Sequence, residues 1–92
     1  MKHTEDFFDF VRAAIADYYA KTWGIEIAEY DVFIVWCCKT LRNFKAIAAT
    51  TEKDDRLFEV TWNGDKGEAY LDSYYKMQNK VIRPSDLWGK EK

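Results

Sequence analysis

Ninety-two residues, 48% apolar and 17% aromatic, with a formal net charge of -2, make one small domain. The near balance of 14 basic and 16 acidic side chains argues against a binder held to nucleic acid by phosphate contacts, and against the large acidic excess of a DNA mimic. No apolar run approaches the length of a membrane span, and Met1-Lys-His-Thr leads into acidic residues rather than an apolar signal segment, so a cytosolic protein is expected.

In chain order, residues 4–23 carry the clearest helical pattern. Thr4 is placed as the N-cap, and Glu5, Asp6 and Asp9 sit where the helix dipole favours negative charge. Phe7, Val11, Ala14 or Ile15, Tyr18 and Thr22 trace one stripe; Phe8, Ile15, Tyr19 and Trp23 trace its neighbour. The resulting apolar face is wide enough to cover one side of a small sheet. Gly24 follows as a left-handed cap. Residues 25–31 are expected to form a connection, with Ile25 and Ile27 tucked under the helix.

Residues 32–40 open with seven consecutive apolar residues, Val32 to Cys38, rich in β-branched and aromatic types. Such a run predicts a strand covered on both faces. On that reading Val35→Asp unfolds the protein. The second strand, 45–50, follows a connection at Leu41, Arg42 and Asn43. Cys37 and Cys38 are adjacent, point to opposite faces of a strand, and have no third cysteine, so no disulfide framework is expected. With His3 as the only histidine, no metal site and no cofactor are expected.

Residues 51–56 read as a charged loop, with Asp54 and Asp55 as turn carboxylates. Residues 57–62 alternate cleanly, with Phe58, Val60 and Trp62 on one face, as in a half-buried antiparallel strand. Asn63-Gly64 signals a hairpin into a strand at 68–71. A short helix is expected at 73–82, ended by Pro84, with a polar tail at 84–92 in which Leu87 and Trp88 either pack back or protrude.

These elements predict an α+β domain. An N-terminal amphipathic helix packs on a four-stranded antiparallel sheet of two β-hairpins, followed by a short C-terminal helix. One face of that sheet has too little to cover it. Either the second helix and tail lie across it, or a second copy does, which makes a homodimer one expectation. The candidate interaction surface comprises Trp36, Lys39, Arg42, Phe44, Lys45, Tyr70, Tyr75 and Trp88. Within it, Lys39, Arg42 and Lys45 beside Trp36 and Phe44 form a minimal basic-aromatic patch. Together with the basic residues of the C-terminal helix, that patch supports an alternative reading as a nucleic-acid or nucleotide binder. No catalytic motif is present, so no enzyme is expected.

The segment from Asp31 to Ala46, with Phe58-Glu-Val-Thr-Trp-Asn-Gly-Asp-Lys and Tyr70-Leu-Asp-Ser-Tyr-Tyr-Lys, resembles a family of short phage and prophage proteins of unknown function from Gram-positive bacteria. The resemblance runs from the first helix to about Ile82. It implies an accessory protein made in the cytoplasm of a bacterial host, acting on a host or phage protein, for example as an inhibitor of a host defence system or host enzyme. It transfers no functional residue.

Overall fold

The computed structural model describes residues 1–89. It contains helix α1 (Thr4–Trp23), a 3-10 turn (Glu29–Asp31), strands β1 (Val32–Thr40), β2 (Asn43–Thr50), β3 (Arg56–Asn63) and β4 (Glu68–Tyr75), and a short helix α2 (Pro84–Trp88). The strands form one antiparallel sheet in the order β1-β2-β3-β4. This is the expected α+β arrangement of an N-terminal helix, an open four-stranded sheet and a short C-terminal helix.

The core lies between α1 and one face of the sheet. Phe7, Val11, Ile15 and Tyr19, at four-residue steps, form the buried seam of α1 and draw from both predicted stripes. They meet Val32, Phe44, Ala46, Ala48, Phe58 and Val60. Ala46 and Ala48 are small enough to let the helix approach, and Phe7 stacks on Phe44 with centroids 4.8 Å apart. Burial of each large side chain contributes about 1.5–3 kcal/mol, which makes this seam the main source of stability.

The ends of α1 differ in how far the sequence foretold them. Gly24 adopts φ 66° and its N–H bonds the Ala20 carbonyl, while the Ile25 N–H reaches Tyr19, as the glycine cap requires. At the other end His3, not Thr4, is the N-cap, and no side chain caps it. Ile27 packs against the core, but Ile25 is largely exposed.

Two larger expectations are corrected. First, β1 is an edge strand covered on one face only. Ile34 pairs with Ala48 and Trp36 with Ile47, so Val35 is the extra residue of a β-bulge. Val32, Ile34 and Cys37 face α1, whereas Val35 is 59% exposed and Trp36 49%. The unbroken apolar run therefore reflects a phase shift at the bulge and an apolar outer face, not burial on both sides.

Second, residues 73–82 form no helix. Ser73, Tyr74 and Tyr75 continue β4, paired with Phe58, Leu57 and Arg56. Residues 76–83 have no regular structure, and the helix forms instead at Pro84–Trp88, within the predicted tail. Pro84 starts that helix, because its fixed φ and missing N–H suit a first turn, and the Asp86 carboxylate accepts the Arg83 N–H at 2.9 Å.

The hairpin tips are tighter than expected. Only Leu41 and Arg42 connect β1 to β2. At the β3–β4 turn, Asn63 Oδ1 accepts the N–H groups of Asp65 and Lys66, and Gly67 supplies the positive φ of 66°. Gly64 serves another purpose: a Cβ there would lie 2.2 Å from the Arg42 carbonyl oxygen, so glycine lets the two tips touch.

Candidate interaction surface

The alternation of the strands sorts side chains onto two faces. The face opposite α1 carries Phe33, Trp36 and Cys38 from β1, and Lys45 and Ile47 from β2. It carries Leu57, Glu59 and Thr61 from β3, and Tyr70, Asp72 and Tyr74 from β4. Phe33, Trp36, Leu57, Tyr70 and Tyr74 are all exposed. Two rows cross all four strands. One runs Trp36, Ile47, Glu59, Asp72; the other runs Cys38, Lys45, Thr61, Tyr70.

The electrostatics of this face are mildly acidic. Lys45 Nζ lies 3.5 Å from Glu59 Oε1 at its centre. The Tyr70 hydroxyl donates to Glu68 Oε1 at 2.5 Å, a bond that raises the Tyr70 pKa. On the opposite, α1 side of β1, burial raises the half-buried Cys37 thiol, with Cys38 beside it adding to the effect. Trp36, Cys38, Thr40, Asn43, Lys45 and Thr61 border a shallow depression near the β1–β2 tip.

Three of the eight predicted surface residues, Trp36, Lys45 and Tyr70, share this open face. The others are dispersed. Phe44 is 1% exposed and belongs to the core, so it leaves the surface. Lys39 projects on the α1 side, with Nζ 5.5 Å from the Phe44 ring centroid and 3.0 Å from the Leu41 carbonyl oxygen. Arg42 sits at the tip, 3.6 Å from Asp65. Tyr75 lies at the far end of β4 against Arg56, and Trp88 is half-exposed on α2. The three cations of the expected basic patch therefore point in different directions, and each has a partner.

A second cluster escaped the sequence reading. The Tyr19 hydroxyl donates to Asp54 Oδ2 at 2.6 Å and lies 3.3 Å from Thr50 Oγ1. Asp54 Oδ1 accepts the Arg56 N–H, and the Arg56 guanidinium stacks 4.3 Å from the Trp23 ring centroid. Burial, then the bond to Asp54, pushes the Tyr19 pKa up to about 12. The sequence signal was present in Asp54, which stands two residues before Arg56 as an Asx turn requires. Its tie to a helix 35 positions earlier was not legible. This cluster fastens the helix end to a loop.

Among the described residues, no group of three or more His, Cys, Asp or Glu side chains could hold a metal ion. Among the same residues, no helix is long and apolar enough to cross a membrane.

No curated protein and no solved structure matches the chain. One family model does, over residues 8–84, and it takes in α1 from Phe8, the whole sheet and the segment up to Pro84. The chain belongs to DUF6275, a family of unknown function.

Proposed function

We propose that the protein is a non-catalytic interaction module that docks a protein chain on its open sheet face. The observation that carries this reading is the asymmetry of the sheet: α1 covers one face, while Phe33, Trp36, Leu57, Tyr70 and Tyr74 stand exposed on the other. Exposed aromatic side chains on a rigid sheet favour protein contacts, because they offer large area at small entropic cost. The residue set supports a non-enzyme: the single histidine, His3, is exposed at the start of α1, and Asp54 is engaged in fastening the helix.

The resemblance to phage and prophage proteins extends this reading to an accessory protein in the cytoplasm of a bacterial host, acting on a host enzyme or defence protein. The nucleic-acid alternative draws less support. Lys39, Arg42 and Lys45 diverge, and the basic C-terminal helix expected at 73–82 is strand and irregular chain.

The test is capture from a nuclease-treated bacterial lysate by the tagged protein and by Trp36→Glu, whose position is exposed enough to tolerate the charge. A protein retained by the parent chain and lost with Trp36→Glu supports the reading. Equal capture by both removes the face from it, and capture that vanishes with nuclease transfers the function to nucleic acid.

A further inference from the structure

Two exposed apolar surfaces lie on the same chain. One is the open sheet face. The other is the C-terminal arm, residues 76–88, which leaves the sheet after Tyr75. Every residue of the arm is exposed, and Met77 reaches 95%. Val81, Ile82 and Leu87 are also uncovered. After Lys76, whose N–H bonds the Asp55 carbonyl, residues 77–82 have no regular structure, although Met77, Val81 and Ile82 are apolar.

The dimensions show that this chain is not closed on itself. Its radius of gyration is 16.6 Å, whereas a compact chain of this length has about 12 Å. Its accessible surface is 7018 Å², against about 5,600 Å² for a compact monomer of this mass. The difference, roughly 1,400 Å², comes with the extended arm and the bare face, and leaves room for the ~800 Å² that each partner buries in a standard interface.

Charge and reach name the occupant. The open face presents Glu59, Glu68 and Asp72 against Lys45, and Asp72 has no ion-pair partner among the described residues. The arm presents Lys76, Lys80 and Arg83 against Asp86, and neither Lys80 nor Arg83 has an ion-pair partner among the described residues. Eight extended residues, 76–83, reach about 26 Å. The three inter-strand spacings of the sheet sum to only about 14 Å. The arm is thus long enough, apolar enough and of the right sign to lie across such a face.

We propose that the open sheet face seats the C-terminal arm of a second copy of this chain, reciprocally, in a two-fold dimer. This rests on the reading of that face as a protein-docking surface and names its partner. A two-fold arrangement satisfies both surfaces at once, because each copy gives one arm and receives one.

The test is the mass of the full chain by sedimentation equilibrium in the micromolar range, beside Trp36→Glu on the face and Ile82→Glu on the arm. Both positions are exposed, and thermal melting checks that both variants fold. The expected result is a parent chain near twice 10.9 kDa, with each variant dimerising at least roughly tenfold more weakly. Mixing the two variants is expected to raise the average mass, since the mixed pair retains one intact arm on one intact face. A monomeric parent chain overturns the proposal, as does a dimer indifferent to Ile82→Glu or a mixture that stays monomeric. If the parent chain is monomeric while Trp36→Glu still abolishes capture from lysate, the docking face stands and only the second copy is refuted.

Discussion

The Tyr19 hydroxyl donates a 2.6 Å hydrogen bond to Asp54 Oδ2, joining the last turns of α1 to the loop between β2 and β3. Thr50 and Arg56 complete the junction from the strands on either side of that loop. The tie holds the helix across the sheet at the end opposite the hairpin tips, and thereby keeps one face covered and the other open.

Tyr19→Phe removes the donor and leaves the ring in place. A hydrogen bond to a charged acceptor contributes about 1.5–3 kcal/mol when fully buried, and Asp54 is partly solvated, so a loss of about 1–2 kcal/mol is expected. Urea unfolding, with a shifted midpoint and an unchanged slope, measures it.

Burial of the Tyr19 hydroxyl, reinforced by the same bond, sets a dependence on alkaline pH. The Tyr19 pKa is raised to about 12 in the folded protein, while in the unfolded chain it is about 10. Between these values the unfolded state releases a proton that the folded state keeps, so the Tyr19 contribution is complete below the lower value and is lost as pH rises toward the upper. Thermal melting from neutral to strongly alkaline pH is expected to fall more steeply for the parent chain than for Tyr19→Phe. Parallel curves count against the raised Tyr19 pKa.

Val35 and Val60 separate the two faces of the sheet. Val60 is 1% exposed beneath α1, whereas Val35 is the outward residue of the bulge. Val60→Asp buries an unpaired carboxylate and is expected to abolish cooperative folding. Val35→Asp is expected to stay folded, within about 1 kcal/mol of the parent chain. Circular dichroism melts of both variants decide it, and an unfolded Val35→Asp would restore the two-sided reading of β1.

Gly64→Ala forces a methyl group into the Arg42 backbone at 2.2 Å. Backbone cannot yield as a side-chain end can, so the two tips must separate, at a cost of about 1–3 kcal/mol. Faster amide hydrogen exchange at Gly64, whose N–H now bonds Asn43 Oδ1 at 3.0 Å, reports the opening.

Much of the fold was written locally. The four-residue seam of α1, the Gly24 cap, the alternation of Phe58, Val60 and Trp62, and the turn chemistry around Asn63 all act through near neighbours. A sequence displays such relations directly. Even the limits of β1, Val32 to Thr40, follow from its β-branched run. What local pattern could not supply was phase and place. The bulge at Val35 changes which residues face outward without changing composition. Tyr74 and Tyr75 read as helical until pairing with Leu57 and Arg56 drew them into β4, because cross-strand hydrogen bonds outweigh a weak local propensity. The same limit hid the surface. Phe44 and Lys45 are neighbours in the chain, yet Phe7 draws one into the core while Glu59 meets the other on the open face. By itself, the sequence determined that a helix and four antiparallel strands would form, since those choices depend on spacing along the chain. Only the tertiary structure decided that β1 lies at an edge, that one face stays bare and that the last residues leave the sheet as an arm, because each depends on contacts between distant residues.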